Sequence, residues 1–573
     1  MNTLNGYDYA VLFIYMAILV GIGIYFSRYI KGANDYFKAA NKLTWWIGGL
    51  SSFMSAFSAW MFTGGAGIVY REGLAGMAVL SLTGLAIFSG YLVFAVKWRR
   101  SRVTTITEYL EERFNFTTHQ LASWFYMPIY ILYSATALFA LAIFISTALH
   151  LNIETVIWVG GLVIVAYTLL GGLWAVSVND VVQFLVLLPI CLLLVPLALM
   201  AIGGVDGLIA SAPQNYFQVP TAGLPGHYML AYFALLILGQ NTNPIAQRYF
   251  SVRNEVDAKK VSLMCTLLFI VGIFIWAVPP MAARILYPDL SQVINLPNPD
   301  EGAFVVIALH LLPHGLIGLL VAAMFAASLS SLDSVYNLLA GIVSKDIIGK
   351  LFAKEMSDKA MLRTGQVSTL FIGLIVIGLS LLMVRYGAGV FEIMMKISSL
   401  TVSPLAVPML MGFLYRKAPP WSCMSSLVCG TAAAAIFAFY PPVSAYLQAQ
   451  GPWVEFTVSS FTIIFISLGA FIASQWVFKM KSAEKERIEG FYRKLATPVD
   501  EATELEQTDL DKSSMAVLVG RIAMLIGVIV LLFVFIPGTM GDKLIDVILA
   551  SVLLGFGLLL NYFGGKSQAS SAT

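Results

Sequence analysis

Long apolar runs separated by polar loops set the pattern of this chain. A helix crossing a hydrocarbon layer needs about 20 predominantly apolar residues, because only a backbone that satisfies its own hydrogen bonds tolerates that layer. By that measure the chain predicts about fifteen spans, numbered in order: 8–28, 44–70, 74–97, 119–149, 154–171, 176–202, 227–248, 260–287, 314–345, 364–385, 388–415, 420–440, 454–478, 515–536 and 542–563. The polar positions between them are not evenly distributed. Lys and Arg collect after span 1 (Arg28, Lys31, Lys38, Lys42), span 3 (Lys97, Arg99, Arg100, Arg102), span 7 (Arg248, Arg253, Lys259, Lys260) and span 9 (Lys345, Lys350, Lys354, Lys359). Arg416 and Lys417 follow span 11, and Lys479 and Lys481 follow span 13. Every cluster follows an odd-numbered span, which the positive-inside rule turns into an orientation: N-terminus outside, C-terminus cytoplasmic, in the cell (inner) membrane.

Two stretches outside the spans have their own patterning. Residues 104–114 pair a Thr cap with Glu108 and space Ile106, Tyr109, Leu110 and Phe114 as a short amphipathic helix on the inner face. Residues 479–514 are charged throughout, basic first and acidic later (Asp500, Glu501, Glu504, Glu506, Asp509, Asp511), and read as a solvated linker.

Composition sharpens this reading. Of the 573 residues, 59% are hydrophobic and 11% charged, against about 25% charged in ordinary globular chains. With a mean hydropathy of +0.83, a polytopic membrane protein is the expected class. The net charge of +3 reflects basic loops, not a nucleic-acid surface. Cys191, Cys265, Cys423 and Cys429 lack metal-site or disulfide spacing and read as packing residues. The first apolar run is too long for a signal peptide and has no basic segment before it, so it is expected to be retained. The chain has no P-loop and no kinase or hydrolase signature, so an enzyme or an ATP-driven pump has no support.

The chemistry then has to come from polar groups at membrane depth and from interrupted helices. Span 2 reads GGLSSFMSAFSAWMFTGGAGIVY, serine-rich first and glycine-rich later, which predicts a break. Span 7 ends in LILGQNTNPIAQRYF, where Gly239 to Pro244 do not suit a continuous helix facing lipid. Breaks five spans apart suggest two five-helix repeats, spans 2–6 and 7–11. In span 9, Ala327, Ser330, Ser331 and Ser334 follow i, i+3, i+4, i+7 spacing, so one face offers three hydroxyls. Such oxygens suit a hard monovalent cation, although serine also commonly bonds back to its own helix. Asp333 on the neighbouring face favours a site, because an intramembrane carboxylate is expensive unless paired or coordinating. In span 11, Glu392 and Lys396 at i, i+4 most simply pair with each other; the alternative is that Lys396 anchors a solute carboxylate. His310 and His314 in an outer loop read as ordinary surface residues.

GGLWAVSVNDVVQ (171–183), SLSSLDSVYN in span 9 and QRYFSVRNEVDAKK (247–260) together resemble motifs of the sodium/solute symporter family, which includes sodium/glucose, sodium/proline and sodium/sialic acid transporters. The resemblance covers roughly residues 8–440. It implies an all-α membrane protein with a LeuT-like 5+5 inverted-repeat core. The expected layout is an extra N-terminal helix and inner loop (1–43), a first repeat (44–202), a second repeat (227–418), additional helices (419–478), the charged linker (479–514) and a C-terminal pair (515–573).

Carried over by position, the family's sodium site would use main-chain oxygens near Met54 and Phe57, the Ala327 carbonyl, and the hydroxyls of Ser330 and Ser331. A second cation site would use Asp180 with Ser330, Asp333 and Ser334. There the chain departs from the family, since Asp333 replaces a usual hydroxyl; two carboxylates either favour a cation or leave one protonated. Phe57, Ser58, Gln240, Asn243 and Lys396 are the solute candidates. Span 3 lacks the mid-membrane Glu expected of a sugar transporter, which weighs against hexoses. The expected function is sodium-coupled symport of a small organic solute by alternating access, with Na+ as coupling ion, no other cofactor and the lipid bilayer as surroundings. The alternative is a channel or a transporter-like sensory module.

Overall fold

The computed structural model describes residues 4–27, 43–56, 58–103, 105–169, 173–242, 244–352, 356–504 and 512–571. Regular structure in them is helical apart from one bridge between Leu43 and Val252. Eleven helices among the described residues are long and apolar enough to cross a membrane. The other four expected runs are the shorter helices Gly6–Gly21 and Ile153–Thr168 and the two interrupted spans. Phe13, Trp158, Phe274, Phe371 and Phe465 point outward from the bundle, exposing large apolar side chains around its circumference. Only a hydrocarbon surrounding makes that surface inexpensive, and the chain is an integral membrane protein.

Both breaks lie where glycine, serine and proline weaken the helix. Span 2 runs as Trp45–Ala56, leaves helical pairing around Ser58, then resumes through a π-helical turn, Met61–Gly65, into Ala66–Glu72. Span 7 runs as Gly226–Gln240, turns at Asn241 and Thr242, and restarts as Pro244–Ser251. Proline opens that second half because the first helical position needs no N–H donor. The first half of span 2 packs against spans 6 (Leu173–Ala201) and 8 (Glu255–Leu286), while span 9 (Leu316–Gly341) packs against spans 1, 4 and 6.

Span 1 is pinned to span 9. The buried Asp8 accepts the backbone N–H groups of Gly315 (2.6 Å) and Gly318 (3.1 Å), capping the start of span 9 across the bundle. A Cβ on Gly318 would lie 2.3 Å from the Asp8 carbonyl oxygen, so this approach requires glycine. His314 also contacts Asp8, at 2.8 Å, which corrects the expectation that it is an ordinary surface residue, whereas His310 is exposed as expected and bonds the Tyr287 hydroxyl. Cys191, Cys265 and Cys423 are buried as packing residues, whereas Cys429 is exposed.

The short helix Ile106–Arg113 has the expected capping box between Thr105 and Glu108. Its apolar residues Ile106, Tyr109 and Leu110, with Phe114 beyond them, are buried against protein. The Tyr109 hydroxyl donates to the Met409 carbonyl and the Arg113 guanidinium to those of Gly412 and Tyr415, satisfying the end of span 11 (Val390–Leu414). The charged stretch also differs from a solvated linker. It forms a helix, Ser482–Ala496, whose Ile488, Phe491 and Leu495 make one buried stripe, and Lys494 bonds Glu112. An i, i+3, i+7 stripe suffices to dock a helix even when its other positions are charged. Glu506, Asp509 and Asp511 lie outside the described residues.

Candidate functional site

Asp180, on span 6, is wholly buried at the centre of a polar cluster. Its Oδ2 accepts the Ser51 hydroxyl at 2.5 Å, and its Oδ1 accepts the Ser330 hydroxyl. The guanidinium of Arg248 lies 4.0 Å from Asp180 Oδ2 and is itself fully buried. Arg248 donates to Ser51 (3.2 Å) and Ser55 (3.3 Å) and comes within 3.5 Å of the Ser334 hydroxyl. Spans 2, 6, 7 and 9 therefore meet at one carboxylate, one guanidinium and four serine hydroxyls. A buried charge in hydrocarbon needs this degree of pairing.

One turn away, Ser331 donates to two main-chain carbonyls, Ser55 at 3.3 Å and Ala327 at 3.1 Å. This oxygen cluster joins the last turn before the span 2 break to the middle of span 9. Ser328 reaches the same break, its hydroxyl accepting the Ala59 N–H at 3.3 Å. Of the expected ligands, Met54, Ala327 and Ser330 are buried beside this cluster, while Phe57 lies outside the described residues. Asp333 is also fully buried, but it turns to Asn337, whose amide donates to it at 3.0 Å, with Thr168 beside it. The two aspartates have separate sets of hydrogen-bond partners.

The span 7 break forms a second locus. Gly239 and Thr242 face Tyr130 and Tyr133 from span 4 (Phe116–Leu149) and Thr401 and Val402 from span 11 around a small pocket. The Tyr133 hydroxyl bonds Ser398 at 3.0 Å. At the break itself, Trp98 donates to the Asn241 carbonyl at 2.8 Å, and the Asn241 amide donates to Ser89. Gln240 and Ser58 are half-buried, and Asn243 lies outside the described residues.

The sodium:solute symporter family model matches residues 36–430, more than half of the chain. The chain belongs to the sodium:solute symporter family. The sodium/myo-inositol cotransporter 2 of Sus scrofa is 30% identical over 473 residues, covering 75% of this chain and 69% of that protein. The sodium/sialic acid symporter NanT of Aliivibrio fischeri is 26% identical over 448 residues, covering 75% and 87%. Among solved structures, a substrate-bound, outward-open Na+-coupled sialic acid symporter superposes with a TM-score of 0.69 at 20% identity, covering 83% of this chain and 98% of that one. A nucleobase-cation-symport-1 family transporter gives 0.55 at 13% identity, covering 80% and 98%. The symporter thus has the LeuT-like inverted-repeat core, and it couples sodium to the movement of a small organic solute.

Some side chains of the symporter stand elsewhere than expected. Lys396 does not pair with Glu392; its ammonium lies 3.8 Å from Glu455 on span 13 (Pro452–Val477), because the side chain leans outward across the bundle. It lines a different cavity from Gly239 and Thr242. Arg248, counted among loop charges, is instead buried in the polar cluster, since the half-helix Pro244–Ser251 carries it inward. Tyr133 and Thr401 escaped notice because one tyrosine or threonine in an apolar run has no signature; only the break in span 7 gives them a partner.

Proposed function

We propose that sodium binds where the first half of span 2 meets span 9, held by main-chain oxygens near Met54 and Phe57, the Ala327 carbonyl and the hydroxyls of Ser330 and Ser331. The observation that carries this reading is the Ser331 hydroxyl lying between the carbonyls of Ser55 and Ala327, which joins the broken span to the unbroken one through oxygens alone. A hard monovalent cation takes such neutral oxygens. Sodium binding favours the arrangement that keeps the two spans together, and that difference in affinity couples the gradient to the solute. Asp180, with Ser330, Ser334 and Asp333 nearby, is the candidate for a second cation, and Arg248 supplies the positive charge that its carboxylate already faces.

The solute would sit at the span 7 break against Tyr133 and Thr401, with Ser58 and Gln240 as further candidates; Phe57 and Asn243, the remaining candidates, lie outside the described residues. In this conformation the pocket there is only about 20 Å³, so the solute enters when span 7 moves away from spans 4 and 11; its described lining has hydroxyls and apolar groups and no charged side chain, which favours a neutral, hydroxyl-bearing solute over a carboxylate. Both sodium relatives named above carry polyhydroxylated compounds by name, and the neutral one fits this lining better. The protein spans a cell membrane with its N-terminus outside and its C-terminus cytoplasmic, following the basic loops. Uptake into proteoliposomes tests the reading: a neutral polyol should accumulate against its gradient when sodium is high outside, and collapse of the sodium gradient should abolish this. Passive, non-saturating flux would replace the symport reading with a channel.

A further inference from the structure

Spans 10 to 13 enclose a cavity of about 620 Å³ that the solute and sodium sites do not use. Its described lining comes from spans 4, 10, 11, 12 and 13, with none from spans 2 or 7. It lies at one end of the bundle, where span 10 (Asp358–Tyr386) ends, span 11 begins, span 12 (Ser422–Phe439) ends and span 13 begins. Its wall is apolar, with Leu132, Leu382, Met383, Phe437, Trp453 and Phe456. Of the charged residues in the lining, Glu392 and Glu455 come from the first turns of spans 11 and 13 and Lys396 from one turn deeper on span 11. From Glu392 to Leu400, deeper on the same helix, is a rise of about 12 Å. Leu382, in the lining one turn before the end of span 10, is 58% exposed, so the cavity opens to the side of the bundle.

These features define what fits. The wall suits an acyl chain, and the polar end lies at the depth where helix ends meet headgroups. One ammonium faces two carboxylates there, and Lys396 is half exposed, with its nearest carboxylate at 3.8 Å, so the group is loosely paired and carries an excess negative charge. An anionic headgroup would meet that excess; a headgroup with its own ammonium would offset it. We propose that the crevice binds one amine-bearing zwitterionic phospholipid, its phosphate on Lys396, its ammonium between Glu392 and Glu455, and one acyl chain along Leu382, Phe437 and Phe456. Span 11 also carries Ser398 and Thr401, which belong to the solute locus. The lipid therefore braces the back of the helix whose other face meets the solute. This last step rests on the solute assignment; the binding site does not.

The test uses the full-length protein in detergent, titrated with phosphatidylethanolamine, phosphatidylglycerol and phosphatidylcholine of identical chains and read by native mass spectrometry. Wild type should retain one phosphatidylethanolamine in preference to phosphatidylglycerol, and Lys396→Ala should weaken that binding about tenfold, the loss of one charge-assisted contact. Glu392→Gln with Glu455→Gln should abolish the headgroup preference, and Ser459→Trp should block the acyl path. Thermal midpoints of all variants identify any that misfold, and the half-exposed Lys396 site tolerates truncation. Retention unchanged in both Lys396→Ala and Ser459→Trp would overturn the proposal, as would equal retention of phosphatidylglycerol. Soluble glycerophosphoethanolamine binding as tightly as the lipid would assign the site to a free solute instead. Solute affinity measured in vesicles with and without phosphatidylethanolamine reads the bracing step separately from lipid capture.

Discussion

Replacing Asp180 with Asn keeps the shape of the side chain and removes its charge, leaving the Arg248 guanidinium buried without a counter-ion. The two groups are 4.0 Å apart and both fully buried. At that separation their attraction is worth about 4 kcal/mol at an effective dielectric constant near 20. Breaking a buried pair by removing one partner costs about 3–5 kcal/mol, because the remaining charge has lost its solvation and gained nothing. The Asn amide also puts N–H groups where the Ser51 and Ser330 hydroxyls now donate, so one of those serines must turn away. Thermal or denaturant unfolding in detergent should therefore place Asp180→Asn well below wild type. Arg248→Met should fall by a similar amount for the mirror-image reason, and the double variant should lose less than the sum. Sodium should raise the wild-type midpoint and shift that of Asp180→Asn less, since at a given sodium concentration a weaker binding constant gives less stabilisation. Losses that add to within about 0.5 kcal/mol would show that the two groups do not interact.

Ser331→Ala removes a hydroxyl from between two carbonyls and should raise the sodium concentration for half-maximal uptake by about tenfold, one ligand's worth of free energy; an unchanged sodium dependence would remove Ser331 from the site. Tyr133→Phe and Thr401→Val should each weaken solute binding at saturating sodium by about 1 kcal/mol while leaving sodium-induced stabilisation intact, as separate titrations of the two ligands would read. Glu301, in the turn Pro299–Gly302, accepts the Phe391 N–H at the start of span 11, near Arg71 and Glu392, and burial pushes its carboxyl up to about 7 from an ordinary 4.5. The folded form then holds its proton more tightly than the unfolded chain. Its contribution is complete below pH 4.5 and declines by about 3 kcal/mol as pH rises to about 7; Glu301→Gln should flatten that decline in melting midpoints between pH 4.5 and 7.

How far the sequence reached depended on the kind of signal. Spans were legible because a membrane imposes one length and one composition on every crossing, and the breaks because serine, glycine and proline weaken helices wherever they sit. The hydroxyl face of span 9 was legible because helical spacing alone brings Ala327, Ser331 and Ser334 to one side of it. Arg248 was not, since a basic residue after a span reads as a loop charge until the turn at Asn241 and Thr242 shows that the chain re-enters the bundle. The docked helix Ser482–Ala496 was hidden for a related reason: three apolar residues among many charges look like noise, and only the surface formed by spans far upstream gives them something to cover. The partners of Lys396 and Glu301 are likewise distant in sequence, at Glu455 and Phe391.

Span 9 is fastened at both ends. At one end Asp8 grips its first turn. At the other, where the helix passes into the π-helical segment Ile342–Phe352, Asp346 accepts Thr107 at 2.8 Å and its carbonyl accepts Gln120 at 2.7 Å. The buried His119 stands between Glu111 and Asp346, at 2.9 and 3.2 Å. Mechanically, span 9 is a beam bolted at each end, and a beam of that kind serves as a stator. On the proposed reading, displacement between the two faces of the membrane would belong to the broken spans 2 and 7. A cation at the proposed site against that stator would measure how far the rotor has travelled, a position gauge whose reading is the distance from Ser331 to the break in span 2.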